Sequence, residues 1–344
     1  MADISRRGAV AYEGLNVLVT GADGFIGSHL AEQLVRCGAN VTALTLYNSF
    51  DSFGWLDDLP VAIRESIHAV RGDVRDGNLM RSLAARQDVV FHLAALISIP
   101  YSYAAAASYV ETNVVGTLNM LEAARSNEVM RLVITSTSEV YGSARFSPIS
   151  EHHPLQGQSP YSASKIGADM MTEAYARSFG LPVVMLRPFN TFGPRQSERA
   201  VIASLLRQAT DPEVDAIRVG DLSTVRDFTF VADTVEAFLL IGTGQQVEFG
   251  TPYNAGSGVA VTIGELAAMV LEVTECRKPI ETEAERMRPE MSEVRELLAD
   301  ARRFAEATGW RPGVGLRDGL VRTAEWWRAR LDGGRVRRER HHVT

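Results

Sequence analysis

LNVLVTGADGFIG, residues 15–27, is the stretch on which the fold turns. An apolar, β-branched run over 15–20 stops at Gly21, and from Gly27 to Cys37 apolar residues recur at helical spacing, which reads as strand, turn, helix. Three glycines stand at spacing three and three across the junction. Gly21 permits the tight turn, Gly24 lets a pyrophosphate approach the backbone, and Gly27 lets the helix pack on the strand, with the amide-rich helix N-terminus attracting the anion. Phe25 and Ile26 lie in the first helical turn and complete the set of candidate cofactor contacts there. Outside this context a lone glycine pattern would be an ordinary tight turn.

Moving outward, further apolar runs at 40–46, 66–71, 89–93, 132–135 and 183–187 alternate with helix-like stretches such as 114–126. That alternation predicts an α/β fold, a Rossmann-like doubly wound parallel sheet covered on both faces. Past Arg187 the regularity weakens at Pro188, Gly193, Pro194, Pro212 and Gly220. The expected division is a dinucleotide-binding domain over 14–187 and a smaller C-terminal α/β substrate-binding lobe over 188–330. A segment near 228–255 is expected to return to the first domain, and 331–344 to form a basic, solvated tail.

The 344 residues are 46% hydrophobic and 22% charged, values of an ordinary globular chain. A net charge of -7 offers no basic face for nucleic acid. Cys37 and Cys276 stand far apart and read as packing residues, and His152-His153 lack the spaced partner a metal site needs. With no signal-like or membrane-length apolar run, the chain is expected to be cytoplasmic and to hold neither metal nor membrane.

Two more segments bear on the cofactor. In Gly72-Asp73-Val74, after the third strand, Asp73 is either an acceptor for an adenine amino group or a helix N-cap. The acid normally found at the end of the second strand, where it holds the ribose 2′-hydroxyl, is missing: Thr45 stands there, with Asn48 just beyond. No Arg or Lys lies between Val41 and Ile63 to neutralise a 2′-phosphate, which favours NAD over NADP. Leu93, Ala94 and Ala95, after the 89–93 strand, complete the cofactor candidates, and His92 beside them reads as structural.

Tyr161-Ser162-Ala163-Ser164-Lys165 sets a phenol and an ammonium on one helix face. A lysine charge that stabilises phenolate would let Tyr161 take a proton from an alcohol while hydride passes to nicotinamide. The alternative is a surface helix with an incidental pair. Thr135-Ser136-Thr137-Ser138-Glu139-Val140-Tyr141-Gly142 adds hydroxyls and a carboxylate at the C-terminal end of a strand, where ligands of parallel sheets bind. Thr137 could bond the reacting hydroxyl and Glu139 could act as base on a carbon next to a ketone; Ser136 and Ser138 could equally be strand-end turn residues.

The ordered set TGADGFIG, GDV, HLAA, TSTSEVYG, YSASK, RPFNTFGPR and RDFTFVAD, spanning about residues 15–327, resembles the extended short-chain dehydrogenase/reductase family of sugar-nucleotide epimerases and dehydratases. The resemblance implies NAD, oxidation of a sugar at C4, and return of the hydride within one turnover. Glu139 points to the 4,6-dehydratases, where the matching Glu removes the C5 proton before water leaves C6. Typical members carry Asp before that Glu as the acid for the leaving hydroxyl, and here the position is Ser138. A 4-epimerase, a UDP-glucuronate decarboxylase and a non-catalytic NAD-binding module are the alternatives. Residues 46–57 and 153–160 resemble dehydratases acting on UDP- or GDP-linked hexoses such as N-acetylglucosamine. By the same resemblance Asn190, Arg226 and Arg288 are diphosphate contacts, Asp233 buttresses the lobe junction, Asn113 orders backbone near the cofactor, and two helices per subunit pair in a homodimer.

Overall fold

The computed structural model describes residues 11–336 apart from 288, 290 and 291. Seven parallel strands form the main sheet: β1 (Asn16–Thr20), β2 (Asn40–Leu46), β3 (Ile67–Gly72), β4 (Val89–His92), β5 (Arg131–Thr135), β6 (Val183–Pro188) and, after a long excursion, β10 (Pro252–Ala255). Their order is β10-β6-β5-β4-β1-β2-β3, so the winding reverses between β1 and β4. In open α/β sheets that reversal opens a crevice at the strand C-termini. Every residue of β4 and β6 is buried, which is why those segments read as continuous apolar runs rather than alternating ones.

The excursion builds the second lobe. β7 (Asn190–Phe192) pairs with β9 (Val225–Phe230), which pairs in turn with β11 (Ala260–Thr262), while β8 (Ile217–Val219) pairs with β12 (Ile280–Thr282). The helix Val231–Thr243 packs back on the helix Phe25–Arg36, and β10 runs parallel to β6. One apolar core therefore runs from Val17 and Phe91 through Phe238 to Phe192, Leu266 and Trp327. Asp233 ties this junction: its carboxylate accepts from Gly313 N and Val314 N, both at 3.0 Å, and its carbonyl from Trp310 Nε1 at 3.0 Å.

One local boundary is corrected and one pair of alternatives is narrowed. The helix predicted over 114–126 begins as α-helix only at Gly116, because Val110–Val115 is a π turn that interrupts the regular ladder. The N-cap after β3 is Asp76, which accepts from Asn78 N and Leu79 N; Asp73 instead accepts from the guanidinium and main-chain N of Arg75. At the other end the helix Leu316–Asp332 carries regular structure into the start of the expected tail. No helix among the described residues is long and apolar enough to cross a membrane.

Candidate active site

The phosphate turn is built as its glycines require. Gly21 has φ +67°, and a Cβ there would stand 2.8 Å from the Ala94 backbone. A Cβ on Gly27 would stand 2.2 Å from Gly21 O, so helix and turn touch backbone to backbone. Gly24 is the N-cap of Phe25–Arg36, where no side chain caps the helix and no acid occupies the first turn. A Cβ on Gly24 would meet only Gly21 O, at 3.3 Å, so the space above the amides of Phe25, Ile26 and Gly27 is not closed by neighbouring chain. This cradle fits a dinucleotide pyrophosphate.

Thr20, which closes β1, locks the far side of the turn and was not singled out from the sequence. Its hydroxyl accepts from Leu93 N and Ala94 N, each at 3.1 Å, which leaves its proton for His92 Nδ1 at 2.9 Å. His92 is thereby left with its proton on Nε2, facing Thr117 Oγ1 at 3.4 Å. Burial, and then the Lys165 charge, push the imidazole down to about 3, so it is neutral and structural. Asn113, on the π turn, accepts from Leu96 N and donates to Leu96 O and to Ser164 Oγ, joining the loop after Ala95 to the helix that carries Tyr161.

Other cofactor candidates lie near the site without a free polar group turned to it. Thr45 is buried and its hydroxyl donates to Val70 O at 3.4 Å. The Asn48 amide braces its own loop, donating to Leu46 O and Ser52 O and accepting from Phe50 N and Ser52 N. Val74 packs under Gly116, where a Cβ would stand 2.7 Å from Val74 Cγ2.

Tyr161 and Lys165 sit in the first turns of the helix Pro160–Phe179, started by a reciprocal capping box between Ser159 and Ser162 with Pro160 at its first position. Both side chains are buried. Thr137, N-cap of the short 3₁₀ turn Ser138–Tyr141, accepts from Glu139 N at 3.2 Å, and its hydroxyl bonds the Tyr161 phenol. Burial raises the phenol above its ordinary range; the Thr137 bond lowers it, and the Glu139 charge raises it further. Lys165 Nζ donates to Thr135 O at 2.5 Å, and beside burial and Thr137 the charges of Glu139, Tyr109 and Asp169 act on Tyr161.

Behind this pair lies a buried network that sequence reading passed over. Asp169 Oδ2 accepts from Ser136 Oγ at 2.8 Å and from Arg187 Nε and Nη2 at 3.1 and 2.8 Å, and Arg187 Nη1 donates to Tyr141 OH at 2.9 Å. Burial lowers the Lys165 ammonium to about 8, and Asp169, one helical turn on, acts against that fall. The signal for Asp169 was present, since it stands four residues past Lys165 as Lys165 does past Tyr161. Tyr109 closes the opposite wall, its ring edge-on to Tyr161 at 6.2 Å and its hydroxyl donating to Ser98 O.

In the second lobe Asn190 and Arg226 share the β7-β9-β11 sheet. Asn190 Nδ2 donates to Asp227 O at 3.2 Å, and Arg226 pairs with Glu293 at 3.0 Å. Asp227, between the two recognisable neighbours Arg226 and Phe228, proves to be a strut, accepting from Ser257 N, Ser257 Oγ, Gly258 N and Ala299 N. Arg288 lies outside the described residues.

A glycine cradle, a hydroxyl–phenol–ammonium cluster and a carboxylate thus meet at the C-terminal ends of β1, β4 and β5. Residues 18–323 match the family model described as GDP-mannose 4,6 dehydratase. A dTDP-glucose 4,6-dehydratase of Actinoplanes sp. is 34% identical over 321 residues, covering 92% of this chain and 98% of that one. Among solved structures, epimerase Mth375 of Methanothermobacter thermautotrophicus superposes with a TM-score of 0.85 at 31% identity, covering 95% of this chain and 96% of that one. The dTDP-glucose 4,6-dehydratase DesIV of Streptomyces venezuelae, solved with NAD bound, superposes with a TM-score of 0.82 at 31% identity, covering 93% and 98%. The chain belongs to the NAD-dependent epimerase/dehydratase family, the extended branch of the short-chain dehydrogenases/reductases.

Proposed function

We propose that this chain is an NAD-dependent nucleotide-sugar 4,6-dehydratase. The observation that carries the reading is Glu139, whose charge acts on the Tyr161 phenol from the turn that follows β5. A 4-epimerization needs only Tyr161, Thr137 and Lys165; a carboxylate in the same cluster adds a base for carbon acid chemistry. The relatives named above as dTDP-glucose 4,6-dehydratases support the same choice.

Gly21, Gly24 and Gly27 with the amides of Phe25 and Ile26 would hold the NAD pyrophosphate, and when bound NAD supplies the acceptor and later the donor of hydride. Tyr161 acts as phenolate, the form that the Lys165 ammonium one helical turn on would favour, and takes the proton of the sugar C4 hydroxyl, held in line by Thr137. The C4 ketone acidifies the neighbouring C5–H, and Glu139 takes that proton. Ser138, buried beside it, offers a hydrogen bond to the C6 hydroxyl but no acidic proton, so the proton for departing water falls to Glu139, which has just received one. With hydride returned to C6, C5 takes a solvent-derived proton by way of Glu139, and Tyr161 releases the O4 proton to solvent, since the product keeps its C4 ketone. Asn190 and Arg226 face the diphosphate in this reading, Arg226 exchanging its bond to Glu293 for a phosphate.

The test is incubation with dTDP-, UDP- and GDP-linked hexoses, including N-acetylglucosamine, and with UDP-glucuronate, followed by mass spectrometry. Loss of one water supports the dehydratase. An isomeric product assigns a 4-epimerase, which Ser138 in place of an acid favours as the second reading, and loss of carbon dioxide a decarboxylase. In deuterated water Glu139→Gln should stop exchange at C5; undiminished exchange removes the base role. Tyr161→Phe should lower kcat about 10²–10⁴-fold; unchanged turnover would remove Tyr161 from the chemistry, and no turnover of any sugar in the panel would leave only an NAD-binding module.

A further inference from the structure

β2 ends without an acid, yet a carboxylate stands at that end. Asp23 Oδ2 accepts from Leu46 N at 3.2 Å, one residue past Thr45, and Asp23 immediately precedes Gly24, the N-cap of Phe25–Arg36. Its side chain therefore lies between the phosphate turn and the strand end, the region where a dinucleotide places its adenosine ribose. Its main chain is fixed as well: Trp55 N donates to Asp23 O at 3.1 Å, and a Cβ on Gly54 would stand 2.6 Å from the same oxygen. The cations at the end of β3 are engaged, Arg71 with Asp51 at 2.6 Å and Arg75 with Asp73 and Glu111 at 2.6 and 3.1 Å.

We propose that Asp23 takes the place of the missing strand-end acid, accepting a hydrogen bond from the adenosine ribose 2′-hydroxyl of NAD and repelling the 2′-phosphate of NADP. The proposal rests on the NAD reading above. An ionised carboxylate is an acceptor only, so it pairs with a hydroxyl and opposes a phosphate. Partial burial already raises the Asp23 carboxyl from its ordinary value, with the Leu46 amide acting against that rise, and a further donor would reinforce the charged form. The acid has moved from the strand to the phosphate turn while keeping its place beside the strand end.

Calorimetric titration of the purified full chain, stripped of nucleotide, with NAD, NADP and 2′-deoxyadenosine-NAD tests this without turnover. The wild-type protein should bind NAD most tightly and the deoxy analogue roughly tenfold more weakly, the loss of one charge-assisted hydrogen bond. In Asp23→Asn, which keeps an acceptor for Leu46 N, the deoxy penalty should shrink and NADP should gain on NAD by tenfold or more. Unchanged ratios in a folded Asp23→Asn would overturn the proposal while leaving the NAD reading intact. Equal wild-type binding of NAD and its deoxy analogue would overturn it without any variant. Failure of the wild type to bind NAD at all would overturn both readings.

Discussion

Lys165 holds an ammonium where charge is disfavoured, and Asp169 is the nearest compensation. With its folded-state value lowered to about 8 from 10.5, the ammonium is present below pH 8 and lost as pH rises through that value. Turnover should therefore fall along the alkaline limb near pH 8. Asp169→Asn keeps the shape of the network around Ser136 and Arg187 but removes the opposing charge, so the limb should move to lower pH; an initial-rate pH profile of each protein reads the shift. A direct check is available because Lys165 and Lys278 are the only lysines: ¹³C-lysine labelling gives two side-chain signals, and the Lys165 midpoint should drop in the variant. Identical midpoints in the two folded proteins would show that Asp169 has only a packing role. Tyr161, Lys165 and Asp169 were each accessible from helical spacing, whereas Arg187 meets Asp169 from a different element, β6, and no local periodicity reports such a pairing.

Elements position these groups, and their ends are where sequence reading succeeded least evenly. β2 was legible to the residue because Asn40–Leu46 is a β-branched apolar run bounded by Gly38 and polar loop. Helix starts were harder: Asp73 and Asp76 are both plausible caps by composition, and only the chain's path shows that Asp76 reaches the Asn78 and Leu79 amides while Asp73 turns to Arg75. The π turn at Val110–Val115 is invisible to a 3.6-residue count, yet it aims Asn113 at Leu96 and Ser164. Two substitutions probe this level. Ser159→Ala removes the acceptor for Ser162 N and should cost about 1 kcal/mol, read as a lower denaturant midpoint with unchanged slope. Gly27→Ala forces a methyl to within 2.2 Å of Gly21 O, so helix and turn must separate. Its expected signature is loss of NAD binding by calorimetry in a protein that retains its far-ultraviolet dichroism.

At the scale of the whole molecule, the last described helix returns to the loop that roofs the phosphate turn. Arg330, on Leu316–Asp332, pairs with Asp58 at 2.6 Å and stacks on Trp55 and Trp326, 4.8 and 5.1 Å from their ring centroids. Trp55 is also the residue whose amide bonds Asp23 O, so a contact made 272 residues along the chain from Asp58 bears on the position of the turn. None of this was legible in the sequence, because the partners of Arg330 come from a loop far off along the chain. The ion pair is partly exposed, so its own contribution is modest, about 0–1 kcal/mol, with stacking on two indoles adding a comparable amount. Arg330→Ala should therefore lower stability only slightly while loosening the Gly54–Asp58 turn above Asp23. The expected consequence is faster NAD dissociation, measured by stopped-flow displacement, with turnover at saturating NAD little changed, since Tyr161, Lys165 and Glu139 lie at the ends of other elements. A dissociation rate equal to wild type would mean that the C-terminal helix merely covers the loop and does not hold it.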